Sequence, residues 1–154
     1  MIPFTEEAGF KLPCKYDFSI DGVTSISCDP HKYGYGPKGC SILMFRTKEL
    51  RRFTFQPVTT WSGGMYVTPT MAGSRSGAVI AGTWASLLKI GKEGFIENTK
   101  TILTAATQIK KEIQKIPELI LITNQDTSIV AFTSKIINCV ALNDLMLQKH
   151  RWNL

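Results

Sequence analysis

The run Asp29-Pro30-His31-Lys32-Tyr33-Gly34-Tyr35-Gly36-Pro37-Lys38-Gly39 constrains this chain more than any other. Pro30 lacks a backbone donor and fixes its own φ, so the β-branched stretch over 23–28 must stop at Asp29. Gly34, Gly36, Pro37 and Gly39 follow closely. That density marks a tight loop, where the backbone turns sharply or approaches something closely. Residues 41–46 (SILMFR) read as a second strand. The segment is therefore expected to be a hairpin-like unit that presents residues 30–39.

The remaining elements fall around this unit. Residues 2–10 read as a short helix ending near Gly9. Residues 56–77 hold Pro57, Gly63, Gly64, Pro69, Gly73 and Gly77 and read as a long loop, a feature more often functional than not. One helix is expected from about residue 76 to Gly91 and a second over 94–116. In the second, Ile102, Ala106, Ile109, Ile113 and Ile116 recur at helical spacing before Pro117 stops it. Strands at 119–123 and 128–133, with a turn at Asn124-Gln125-Asp126, precede a last helix over 140–149. This final part reads as the start of a small α/β unit, because two strands and a helix are marginal alone.

A length of 154 residues suits one ordinary domain. With 44% hydrophobic and 19% charged residues the chain can pack a core, which excludes wholesale disorder. The net charge of +6 is spread out, and its densest groups lie at Lys48–Arg52 and at 110–115. Glu112 interrupts the second, so a solvated helix face is the reading and no nucleic-acid partner is expected. Cys14, Cys28, Cys40 and Cys139 form no C-x-x-C pair, and His31 and His150 are the only histidines. Free thiols and no metal site are expected. The sequence has no apolar run of membrane-spanning length, and its first residues lack the pattern of a signal peptide.

Lys32 is the candidate nucleophile. A lysine attacks a carbonyl only as the neutral amine, and its ordinary pKa lies near 10.4, so it needs desolvation or nearby positive charge. His31 and Lys38 are the cations at hand, and they would also hold an anionic group such as phosphate. From local pattern alone, a solvated lysine at a strand end is the weightier reading, and His31 equally reads as a hydrogen-bonded loop histidine.

Three segments shift that balance. The run from Ser25 to Gly39, then Trp61-Ser62-Gly63-Gly64-Met65-Tyr66, then Pro69-Thr70-Met71-Ala72-Gly73-Ser74-Arg75 resemble, in this order, the sphingosine-1-phosphate lyases. The likeness continues more weakly to Trp152-Asn153-Leu154. It implies an α/β chain of the aspartate-aminotransferase-like (type I) pyridoxal-phosphate fold. Residues 1–92 would form the end of the large cofactor-binding domain, and 93–154 a linking helix with an incomplete small α/β domain. It implies pyridoxal 5'-phosphate as cofactor, held by Lys32 as a Schiff base, with His31 near the phosphate. Lys38 and Arg75 would belong to substrate and phosphate loops, and Gly73 and Ser74 to a loop that reaches a cofactor site. The implied reaction cleaves a phosphorylated long-chain base to a long-chain aldehyde and phosphoethanolamine, in a homodimer.

The same resemblance implies parts with no match here: a glycine-rich phosphate turn, a histidine stacked on the ring, and an Asp-Ala-x-x-Gly-Gly-like motif whose carboxylate pairs with the ring nitrogen. The chain is accordingly expected to be incomplete and inactive alone. Membrane association would come only through a segment outside it, at the endoplasmic reticulum for a eukaryotic full-length enzyme and cytoplasmic otherwise. Two other readings stand beside the lyase. An amino-acid decarboxylase would also fit Asp29-Pro30-His31-Lys32, and a truncated, non-catalytic pseudoenzyme would need none of the chemistry.

Overall fold

The computed structural model describes residues 1–123 and 125–154. It divides into two compact units, one of residues 1–13 with 93–154 and the other Cys14–Lys92.

The unit Cys14–Lys92 is built on two hairpins. Strands β1 (Ser25–Cys28) and β2 (Ile42–Phe45) pair antiparallel, with Cys28 opposite Ile42 and Ser25 opposite Phe45. They present the loop 30–39, as the sequence implies. Arg46 closes the open end, where its Nε donates to the Val23 carbonyl at 2.7 Å. A short helix α1 (Lys48–Arg52) follows, with Thr47 as its cap: the hydroxyl accepts from the Leu50 N–H at 3.3 Å. Strands β3 (Gln56–Val58) and β4 (Tyr66–Thr68) form a second antiparallel hairpin. The stretch 56–77 is thus not the continuous loop expected from its glycines. Pro57 is tolerated in β3 because that strand has a partner on one side only.

Helix α2 (Gly77–Ile113) carries one break, at Gly91, whose φ of 63° and ψ of 177° are open only to glycine. The two helices read from the sequence meet there. The part after Gly91 buries Phe95, Thr99, Leu103, Ala106, Lys110 and Ile113, spaced three and four apart. That stripe is rotated from the expected one: Ala106 and Ile113 are on it, while Ile109 and Ile116 are exposed. One polar residue on the stripe is satisfied in place. Lys110 Nζ donates to the carbonyls of Gln125 and Thr127.

In the unit of residues 1–13 and 93–154, Phe4 stacks on Phe95 with centroids 5.3 Å apart. The expected helix over 2–10 is only a 3₁₀ turn at Ile2–Phe4 followed by turns to Gly9. Strands β5 (Ile120–Leu121) and β6 (Phe132–Thr133) pair antiparallel and are shorter than expected. The turn read at Asn124-Gln125-Asp126 includes Asn124, which lies outside the described residues. Helix α3 (Cys139–His150) is capped by Asn138, whose side chain accepts from Val140 N at 3.0 Å and Ala141 N at 3.2 Å. It ends on Arg151 at φ 60°, with Trp152 N bonded back to the Met146 carbonyl.

Among the described residues every strand has a single partner, so each hairpin keeps open edges. The buried apolar side chains Ala8, Phe95, Leu103, Ala106 and Ile113 all belong to the unit of residues 1–13 and 93–154. On β2, by contrast, Ile42, Leu43 and Met44 are exposed.

Candidate active site around Lys32

The turn that carries Lys32 is organised by its backbone. Lys32 N donates to the Asp29 carbonyl at 3.1 Å, Tyr35 N to the Lys32 carbonyl at 3.2 Å, and Gly36 N to the Pro30 carbonyl at 2.9 Å. Pro30 is buried beneath the loop. Gly34 passes so close to it that a Cβ would lie 2.7 Å from the Pro30 oxygen, so glycine is required for the approach. Tyr35 takes φ 53°, uncommon for a side-chain-bearing residue. Helix α2 seats this backbone: Ser86 Oγ donates to the Tyr35 carbonyl at 2.9 Å, and a Cβ on Gly36 would meet Thr83 Oγ1 at 3.0 Å.

The lysine itself points at a carboxylate. Lys32 Nζ lies 3.0 Å from Asp29 Oδ2, and the Lys32 side chain is 64% exposed. Asp29 Oδ1 accepts from Ser41 Oγ at 2.9 Å. The Lys32 ammonium and then the Ser41 hydroxyl hold the Asp29 carboxyl below the usual carboxylate range. Positive neighbours were expected at the amine; the charged group within bonding distance is instead an anion three residues back. Lys38 is exposed and makes no ion pair or hydrogen bond among the described residues.

His31 and Thr83 supply the site's unmatched polar atoms. His31 Nδ1 and Thr83 Oγ1 are buried with no hydrogen-bond partner among the described residues. Buried polar atoms are normally paired, and an unpaired one next to a candidate nucleophile suits a ligand that brings its own acceptors or donors. An aldehyde cofactor with a phosphate fits the turn in this respect: an accessible amine, an adjacent unpaired imidazole nitrogen, and glycines that admit close approach. Asp29 engages Lys32 with one oxygen and Ser41 with the other.

Gly73, Ser74 and Arg75 sit in a separate loop that is bonded to itself. Arg75 Nη2 donates to Thr70 Oγ1, and Thr70 Oγ1 to the Ala72 carbonyl at 2.7 Å. A Cβ on Gly73 would meet Tyr66 Oη at 2.7 Å. Among the described residues no hydrogen bond or ion pair joins this loop to Lys32. An open apolar hollow of about 320 Å³ is lined by Val58, Trp61 and Tyr66, with Trp61 and Tyr66 edge to face at 6.0 Å. Its lining holds no lysine. Ser41, Thr83 and Ser86 escape a reading of the sequence. Ser41 becomes visible once strand register is known, and the other two once α2 is packed on the loop.

Comparison with known proteins gives the family of the chain. Residues 10–135 match the pyridoxal-dependent decarboxylase conserved domain. The sphingosine-1-phosphate lyase of Arabidopsis thaliana is 45% identical over 154 residues, which is 100% of this chain and 28% of that protein. The chain thus spans a little over a quarter of the length of this curated relative. The solved structure of sphingosine-1-phosphate lyase from Burkholderia pseudomallei superposes with a TM-score of 0.89 at 42% identity, over 97% of this chain and 34% of the other. A glutamate decarboxylase of Lactobacillus brevis shares the fold, with a TM-score of 0.73 at 22% identity over 96% of this chain and 34% of the other. The expected fold class is therefore correct: these residues adopt part of the aspartate-aminotransferase-like fold. With a lysine-bearing glycine turn inside the matched region, the chain belongs to the pyridoxal-dependent decarboxylase family.

Proposed function

We propose that these residues carry the cofactor-lysine segment of a lyase that cleaves a phosphorylated sphingoid base into a long-chain aldehyde and phosphoethanolamine. The observation that carries this is identity of 42–45% to two sphingosine-1-phosphate lyases across nearly the whole chain, against 22% to the glutamate decarboxylase. The bound cofactor, pyridoxal 5'-phosphate, would supply the electron sink for the charge left when the carbon–carbon bond breaks.

Each residue then has a task. Lys32 would hold the cofactor through its aldehyde, and its amine would be the base that accepts the proton of the substrate hydroxyl. His31, whose Nδ1 is buried without a partner among the described residues, would lie near the cofactor phosphate. Lys38, exposed on the same loop, attracts the substrate phosphate. Gly73, Ser74 and Arg75 form a loop that reaches a cofactor site, with Gly73 giving the backbone room for it. In this reading 1–92 closes the large domain and 93–154 opens the small one, and two copies assemble as a dimer. No helix among the described residues is long and apolar enough to cross a membrane.

The test is substrate choice. Protein containing these residues is expected to release phosphoethanolamine from a phosphorylated sphingoid base and no carbon dioxide from glutamate, and Lys32→Ala is expected to abolish the release. Decarboxylation of an amino acid without phosphoethanolamine release would overturn the proposal in favour of the decarboxylase reading.

A further inference from the structure

We infer that Asp29 is the positioning residue for the Lys32 amine: one carboxylate oxygen holds Nζ while Ser41 holds the other. The inference rests on the reading of Lys32 as the aldehyde-bearing lysine and adds to it the group that aims it.

The geometry comes from strand register. Cys28 and Ile42 are the last paired residues of β1 and β2, so Asp29 and Ser41 occupy the next opposed positions. Ser41 Oγ bonds there to Asp29 Oδ1 at 2.9 Å and reaches the Cys28 carbonyl at 3.3 Å. The carboxylate is thereby fixed by the end of the hairpin rather than by the loop. Its second oxygen is left for Lys32 Nζ at 3.0 Å. The backbone bond from Lys32 N to the Asp29 carbonyl spans the same two residues, so main chain and side chain close one turn together.

A lysine side chain is rich in rotamers, and an amine that must meet an aldehyde gains from being held near one direction. The anchor also engages the resting amine, so attack requires this contact to open. The other titratable group acting on Asp29 is His31, and Lys38 forms no ion pair among the described residues.

The test measures each lysine separately, with the cofactor absent. The protein, Asp29→Asn and Ser41→Ala are modified with formaldehyde and cyanoborohydride across a range of pH, and each site is quantified by peptide mass spectrometry. For an exposed pair the expected effect of Asp29→Asn is a two- to five-fold faster modification of Lys32 while Lys38 is unchanged; the size is an order-of-magnitude figure, about that of exposed ion pairs. Ser41→Ala is expected to act in the same direction, more weakly. An unchanged Lys32 profile in Asp29→Asn, or a change common to all lysines, would overturn the inference. A parallel trapping of pyridoxal phosphate with borohydride on unaltered protein tests the underlying reading by itself. If that trapping misses Lys32 while the formaldehyde profile still moves, the cofactor reading fails and the anchoring by Asp29 stands.

Discussion

Gly34→Ala should loosen the turn that carries Lys32. The new Cβ would lie 2.7 Å from the Pro30 oxygen, 2.9 Å from its Cα and 3.2 Å from its carbonyl carbon. All three are backbone atoms, so no side chain can swing away. Relief requires the Pro30 carbonyl to move, which strains the 2.9 Å bond from Gly36 N. Forcing a methyl into such a space costs about 1–3 kcal/mol, and a lost hydrogen bond about 0.5–1.5 kcal/mol. Alanine returns about 0.4–1 kcal/mol by restricting the unfolded chain. The net is a local cost of about 0.5–4 kcal/mol, or roughly 2- to 1,000-fold more frequent opening. Amide hydrogen exchange at Tyr35 and Gly36 reads this directly, because both N–H groups bond inside the turn. Gly77→Ala is the control, since nothing lies within 4 Å of a Cβ there. Equal protection in parent and Gly34→Ala, or an equal loss in Gly77→Ala, would refute the reasoning.

Two further outcomes follow from the geometry. Asn138→Ala removes the acceptor for Val140 N and Ala141 N, and α3 has no buried residue to compensate. A loss of about 1 kcal/mol is expected, seen as faster exchange in the first turn of α3 with α2 unaffected. Acidification should open the Asp29 anchor: its carboxyl is held below the ordinary aspartate value of 3.8, so the interaction is complete above that pH and is lost as pH falls through the lower folded value. A carbon-detected titration of Asp29 with a midpoint above 3.8 would contradict this.

What the sequence discloses about the fold depends on how local the cause is. The β1–β2 hairpin is legible because Pro30 ends one strand by itself and the glycines after it leave few alternatives. The break in α2 is legible for the same reason, at Gly91. The β3–β4 hairpin is not, because Pro57 and the glycines at 63 and 64 imitate a loop, and only pairing with Tyr66–Thr68 makes Gln56–Val58 a strand. Helix α1 is hidden by its length of five residues and depends on the Thr47 cap. The buried face of α2 after Gly91 is misplaced because Lys110 and Thr99 read as surface residues. The buried Lys110 ammonium is met by the carbonyls at 125 and 127.

The site divides in the same way. The loop is legible from Pro30 and its glycines, while the role proposed for Lys32 comes from family likeness, since local pattern alone favours a solvated lysine. The Asp29 anchor is not, because it requires Ser41 to lie opposite, a fact of register and not of composition. The carboxylate has the wrong context for pairing with a cofactor ring, yet it is the group the amine meets.

The central claim, that Lys32 is the lysine that holds the cofactor aldehyde, has a direct measurement. The protein is incubated with pyridoxal 5'-phosphate, reduced with borohydride, digested and mapped by mass spectrometry. The pyridoxyl mass is expected to concentrate on the peptide containing Lys32 and to leave it in Lys32→Ala. Labelling spread evenly over exposed lysines such as Lys38, Lys48 and Lys89, with Lys32 no more modified than they are, would contradict the account.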